Sequence, residues 1–266
     1  QERREKKMKQ NITIYSGVDK NGNQEPYDKI TLRLGEVISI VGHTGSGKTL
    51  LISDIEQLSQ KDSASKRLIT IDDEIPNYED RFNPEKKKIA MITQNTKCVS
   101  DLIVTEFLKI HAESRNIKDN ELIDKVIDLA NKFTGESISK EAKVTELSGG
   151  QTRALLFADA ILIGASPIIL VDEIENAGIN KTEILKYVKR ENKLVIFATH
   201  DPSIVLQTEK RILMKNGAIS KVIEHTEEEK EVLELVLKAD RTIKKIQDRI
   251  RNGIDINLWE IEDEEE

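Results

Sequence analysis

The chain has 266 residues, a mass of 30.2 kDa and a net charge of −7, and is 38% hydrophobic, 33% charged and 4% aromatic. That length suits one large domain or two lobes of one, because a single core stops growing near about 250–300 residues. The negative balance argues against general nucleic-acid binding, no apolar run reaches the roughly 18 residues of a membrane span, and a single cysteine, Cys98, excludes an internal disulfide and leaves no structural zinc pattern.

In chain order, "QERREKKMKQ" (1–10) reads as a solvated basic tail without a secretory signal, which points to a cytoplasmic chain. "NITIY" and "ITLRLGEVISIVG" read as strands of an antiparallel lobe, with a hairpin signal at Asn21-Gly22 between them. "EVISIV" runs apolar into a glycine-rich turn, as a strand covered on both faces does. A helix follows from about Thr49, then the strands "KRLITID" and "KKIAMIT", separated by a charged, proline-containing connection.

From Ser100 to Phe133 the period becomes helical, with Leu122, Val126, Leu129 and Phe133 on one face, so a helical subdomain is expected over about 98–150. "LSGGQ" opens another helix, carrying Leu155, Leu156, Ile161 and Leu162. "PIILVDE" and "KLVIFATH" read as buried parallel strands, and "RILMKNGAISKVI" as a hairpin turning at Asn216-Gly217. Strands alternating with helices indicate an α/β fold whose ligands bind at the strands' carboxyl ends. Beyond this body (11–225), Thr226 and Glu229 form a capping-box pattern. Val232, Val236, Ala239, Ile243, Ile246 and Ile250 then recur at steps of four and three until Gly253. That helix, 226–252, either packs on its own domain or meets a dimer or partner helix, and residues 253–266 form an acidic tail.

"GHTGSGKT" has the GxxxxGK[ST] spacing between a strand and a helix. Its backbone N–H groups, from Gly42 through His43, Thr44, Gly45, Ser46 and Gly47 to Thr49 and Leu50, can turn toward phosphate oxygens. Lys48 can reach the β- and γ-phosphates, and the Thr49 hydroxyl can bind magnesium. Asp172 and Glu173 end a buried strand; the first suits the magnesium shell and the second the attacking water. Ser148, Gly149, Gly150 and Gln151 open a helix whose unpaired N–H groups can receive an anion.

With these motifs in this order the sequence resembles the ATP-binding cassette ATPases over about residues 11–223. "GHTGSGKT" matches Walker A, "MITQN" the glutamine loop with Gln94, "LSGGQTR" the signature, "IILVDE" Walker B, and "FATHD" the switch histidine, His200. Tyr15 is the best match to the family's adenine-stacking aromatic. The resemblance implies a P-loop NTPase core of mostly parallel sheet with an antiparallel β subdomain and a helical subdomain. It also implies ATP hydrolysis by two domains packed head to tail, each signature closing on the other's ATP. Glu173 would then activate water, His200 would hold the γ-phosphate, Gln94 and Asp172 would serve the magnesium shell, and Lys48 would hold phosphate.

Two departures stand out. Transporter members continue from Walker B as "DEPTSALD", where this chain has Ile174, Glu175, Asn176, Ala177, Gly178 and Ile179, and Asp159 stands where arginine is usual in the signature helix. The resemblance leaves two expectations: the energy-supplying subunit of a transporter, peripheral on the inner face of a membrane beside a separate transmembrane subunit, or a soluble ATPase that remodels a macromolecular partner. Either pairs with a second nucleotide-binding domain, the same chain or another.

Overall fold

The computed structural model describes residues 11–83, 87–93, 101–172 and 179–255. The basic tail, Gln94, Cys98, Glu173 to Gly178 and the tail from 256 onward lie outside the described residues.

Among the described residues, nine strands form two sheets. Strands β1 (Ile12–Tyr15), β2 (Lys29–Leu32) and β4 (Leu68–Ile71) make an antiparallel three-stranded sheet in the order β2-β1-β4. Strands β3 (Val37–Val41), β5 (Ile89–Thr93), β6 (Ile168–Asp172), β7 (Leu194–Ala198), β8 (Lys210–Lys215) and β9 (Ala218–Glu224) make the second, ordered β5-β6-β7-β3-β8-β9. All neighbours in it are parallel except β8 and β9, which form the hairpin at Asn216-Gly217. The run "ITLRLGEVISIVG" therefore splits: β2 and β3 belong to different sheets, and the chain turns between them at Gly35. Asn21-Gly22 lies at the tip of the connection between the antiparallel β1 and β2, with Val18 bridging Gln24 across it. It sits in a small turn where the Asp19 carboxylate accepts from Asn21 N and Asn23 N at 2.8 Å each.

The large sheet is apolar on both faces, and the alternation of its side chains divides the interior into two cores. Ile38 and Ile40 of β3, Ile168 and Leu170 of β6, and Leu194 and Ile196 of β7 face the helix α1 (Lys48–Glu56) and the antiparallel sheet. Val37, Ile169, Val171, Val195 and Phe197, one residue out of phase, face the other core. That second core is completed by α3 (Val104–Ser114), α4 (Asn120–Phe133), α5 (Gly149–Leu162) and α6 (Lys181–Arg190). On α4, Val126, Leu129 and Phe133 are buried as their spacing predicts. The connection before β5 contains a short helix, α2 (Tyr78–Phe82), started by a capping box between Asn77 and Asp80. Helix α7 (Pro202–Val205) precedes β8, and α8 (Glu228–Arg251) ends the described chain with no buried residue. Only half of the Thr226–Glu229 box forms, as the Glu229 carboxylate reaches back to Thr226 N at 3.5 Å.

A buried charge cluster joins the parts. Arg67 is fully buried beside β4, and its guanidinium donates to Glu25 at 2.6 Å, to Asp54 of α1 at 2.8 Å and to the Gly217 carbonyl of the β8–β9 turn at 2.8 Å. Glu25 also accepts from Gly17 N at 2.8 Å, Ile219 N at 2.5 Å and the Tyr27 hydroxyl at 2.8 Å. Burial opposes ionisation of Glu25, but the Arg67 and Ile219 hydrogen bonds outweigh it and hold the carboxyl below its usual range. Burial, helped by that neighbouring charge, pushes the Tyr27 phenol up. Replacing Arg67 with Met strips two buried carboxylates of their cation. It should lower unfolding stability by about 3–5 kcal/mol, read as a shift of the denaturant midpoint by circular dichroism.

Candidate functional site

The first element of the site is the turn from β3 into α1. Gly42 (φ +152°), Gly45 (φ +76°) and Gly47 (φ +105°) carry it through backbone conformations closed to most side chains. At Gly47 the requirement is also steric, since a Cβ there would lie 2.7 Å from the Cα of Gly217 in the β8–β9 turn. The loop's carbonyls are occupied from behind. Gly217 N donates to Ser46 O at 2.7 Å, the Lys20 ammonium to Gly45 O at 2.8 Å, and the Lys48 ammonium to Gly42 O at 2.9 Å and His43 O at 3.4 Å.

With the carbonyls so engaged, the loop can present N–H groups to an anion. Helix α1 has neither a side-chain cap nor an acidic residue in its first turn, so its N-terminal dipole and unpaired donors serve the same end. Lys48 is 7% exposed, and among the described residues its hydrogen-bond partners are carbonyls, not carboxylates. Thr44 and Thr49 are exposed and Leu50 is half-buried.

The parallel ladder delivers the other groups. Asp172 pairs with Ala198 of β7, which pairs in turn with Ile40 of β3, so Asp172 stands level with a residue two before Gly42 and two strands away, about 10 Å. Its parity is that of Ile168 and Leu170, which puts it on the α1 side of the sheet. Thr93, the residue before Gln94, pairs with Asp172 on its other flank. Gln94 and Glu173 themselves lie outside the described residues.

His200, exposed just beyond β7, shares a cleft of about 980 Å³ with Gly42, His43, Thr44 and Lys48. The chain after it is anchored by Asp201, which pairs with Lys181 and accepts from Ser203 N at 2.9 Å. Burial opposes charge on Asp201, and the Lys181 and Ser203 hydrogen bonds outweigh it, so its pKa falls below 3.8. A depressed carboxyl contributes stability above its unfolded pKa and loses it as pH falls through the folded value, so this anchor holds throughout the neutral range.

Ser148, Gly149, Gly150 and Gln151 do not line that cleft. They begin α5, where the Ser148 hydroxyl accepts from Gln151 N at 3.2 Å and the Gln151 side chain accepts from Ser148 N at 2.9 Å. Gln151 also donates to Ser137 O at 3.0 Å, so its side chain orders the turn. Ser148 and Gly149 stay exposed, and with the Gln151 N–H taken by the Ser148 hydroxyl, the donors of the first turn left for an anion are those of Gly149 and Gly150. Tyr15 is the last residue of β1, at the strand end where it is expected, half-buried and paired through its backbone with Lys29 and Leu68, and Lys20 of the same lobe reaches the P-loop. Asp159 is buried and meets His111 of α3 at 2.7 Å, which ties α3 to the signature helix. After Gly178 the chain is held to the end of α4, with Ile179 bridging Thr134 and Asn180 N donating to Phe133 O at 2.7 Å. Lys20 and Gly217 were missed from sequence because their contacts join segments far apart in the chain.

The donor set suits a hard divalent cation. One hydroxyl, Thr49, and one carboxylate, Asp172, fit magnesium, which keeps waters and phosphate oxygens and takes few protein ligands. Among the described residues no group of three or more His, Cys, Asp or Glu forms a cage of its own.

Comparison with known proteins agrees with this arrangement. Residues 28–176 match the family model described as ABC transporter. An uncharacterized ABC transporter ATP-binding protein of Methanocaldococcus jannaschii is 48% identical over 91% of this chain and 93% of its own length. The macrolide export ATP-binding/permease protein MacB of Campylobacter jejuni is 28% identical over 84% of this chain, which spans only 35% of that relative. A dimeric post-hydrolysis ATP-binding cassette bound to ADP and Pi superposes with a TM-score of 0.60 at 20% identity, over 81% of this chain and 99% of that one, a likeness of fold.

The glycine contact yields a graded expectation. Gly47→Ala should weaken binding of a fluorescent ATP analogue about tenfold or more, the equivalent of about 1.4 kcal/mol. Lys20→Ala removes one exposed hydrogen bond and should weaken it only about two- to fivefold.

Proposed function

The chain belongs to the ABC transporter family, and on that premise we propose that it is the ATP-hydrolysing, energy-supplying subunit of a membrane transporter, working as one of two cassettes packed head to tail. The reading is carried by the P-loop whose lysine shares a cleft with His200, while the signature turn opens on a different part of the same chain. A signature outside its own chain's cleft is usable by a second cassette, and two sites formed reciprocally make an isologous, closed pair.

In this reading Gly42 to Leu50 cradle the phosphates through backbone N–H groups, with Lys48 swinging from its carbonyl partners to the β- and γ-phosphates. Ser148, Gly149 and Gly150 close on the γ-phosphate from the second cassette. The Ser148 hydroxyl, already accepting from Gln151 N, keeps its own hydrogen for an incoming oxygen. Glu173 takes the proton of the attacking water or orients it, and His200 holds the γ-phosphate and that water. Magnesium bound by Thr49 and Asp172, with Gln94 in its shell, would neutralise the phosphate charge. Tyr15 remains the assigned adenine contact, although Lys20 stands nearer the loop. In this reading the transmembrane path belongs to a separate subunit, with this one peripheral on the cytoplasmic face; no described helix is long and apolar enough to cross a membrane.

Three outcomes test the reading. Lys48→Ala should weaken ATP binding at least tenfold in equilibrium titration. Glu173→Gln should keep ATP binding, lose about 10²- to 10⁴-fold in turnover and accumulate as an ATP-bound dimer on size-exclusion chromatography. Turnover near wild type in the latter would remove the base assignment. Purification of the native protein from detergent-solubilised membranes should bring a membrane subunit with it; a protein recovered wholly without one would favour remodelling of a soluble partner.

A further inference from the structure

Helix α8 stands on the body at one end. Its first turn is anchored through Glu229, which pairs with Arg211 of β8 and with His225 at 2.9 Å, and it packs against α7. None of its residues is buried, and the apolar seam is open to solvent, with Val232 47% exposed, Ile243 53% and Ile250 60%. A 24-residue helix carrying so regular a stripe has an unfilled partner position.

Two features of α8 identify the occupant. The seam reads the same in both directions: Val232 and Ile250, Val236 and Ile246, and Ala239 and Ile243 lie nine, five and two residues on either side of Arg241. Any run of alternating four- and three-residue steps has this property, so the seam sets the register of an antiparallel pair, with Arg241 at its axis, and the choice of orientation rests on charge. The charges are also divided. Residues 228–235 carry four glutamates and one lysine, whereas 238–251 carry six lysines and arginines against two aspartates. The helix's own dipole accounts for charge only in the first and last turns, and Lys238, Arg241, Lys244 and Lys245 lie before the last turn. Side by side in parallel, two copies would stack acidic on acidic and basic on basic. Antiparallel about Arg241, the acidic start of each helix lies by Arg249 and Arg251 of the other, and like charges meet only near the axis, as Lys238 with Lys244 and Arg241 with its copy, and at Glu234 with Asp248, not along the whole helix.

The geometry points to α8 pairing antiparallel with α8 of a second copy of this chain, holding two cassettes together before any nucleotide binds. The pair is isologous and closed, so it can share its axis with a head-to-tail cassette dimer. It does not depend on ATP. Nucleotide then governs how two tethered cassettes close, not whether they meet.

The test uses the full chain without nucleotide, by size-exclusion chromatography with light scattering at micromolar concentration. Wild type should run at twice the chain mass. Ile243→Asp, at an exposed position, should raise the dimer dissociation constant at least a hundredfold while leaving the melting temperature and ATP affinity per protomer unchanged. For orientation, Val232→Cys and Ile250→Cys are made separately in a Cys98→Ser background. The two proteins should cross-link when mixed, and neither should cross-link with itself. A nucleotide-free wild-type monomer, an unaltered Ile243→Asp dimer, or homotypic Val232→Cys cross-links would overturn the proposal. So would recovery of a membrane subunit's helix cross-linked to Ile250→Cys from native membranes in place of a second copy.

Discussion

Arg67 is the constraint on which the remainder rests. One guanidinium meets carboxylates from the loop after β1 and from α1, together with a carbonyl from the β8–β9 turn. These segments come from opposite ends of the sequence; Glu25 and Ile219, which share the cluster, are 194 residues apart. A buried cation with two buried carboxylates depends on how well their oxygens are met: backbone N–H groups from Gly17 and Ile219 complete the shell of Glu25, and Ser65 shares one oxygen of Asp54 with Arg67, while the other Asp54 oxygen is buried without a hydrogen bond among the described residues. Such a cluster specifies position more than it adds stability. The antiparallel sheet, the P-loop helix and the hairpin are thereby held in one relation, and the phosphate loop lies among all three.

The sheet allots the remaining work by parity. Residues of β3, β6 and β7 that face α1 carry the nucleotide side of the molecule, and Asp172 continues that row. Those one out of phase build the core that supports α4 and α5, hence the signature turn. A one-residue slip in β6 would exchange the faces and send the carboxylate to the wrong core, so the continuous burial of Ile168 to Val171 is what keeps the site assembled. Within that second core, His111 with Asp159 ties α3 to α5, and Ile179 with Thr134 ties the segment before α6 to the end of α4.

Much of this was legible because it depends on local pattern. The strands entering "GHTGSGKT" and "DE" are apolar runs bounded by turn chemistry, α4 has an unambiguous period, and Asn216-Gly217 is a hairpin turn with both residues at positive φ. What escaped depends on contacts across the chain. Nothing local in "SKRL" marks Arg67 as buried, and nothing near Asn21-Gly22 says that Lys20 will reach Gly45. Helix α2 is too short for periodicity to reveal, and only its capping residues announce it. Asp159 looked like a reversed charge from sequence, and its explanation, His111, lies on another helix.

The contact between Gly47 and Gly217 has a mechanical consequence. Side chains change rotamer and so absorb small displacements, but two backbones in van der Waals contact have no such freedom. The joint therefore has no backlash. A few tenths of an ångström of movement in the loop as phosphate enters must appear as movement of the hairpin, whose second strand runs directly to the root of α8. With no side chain at either position to act as a spring, a shift of the phosphate loop passes directly to the hairpin that leads into α8.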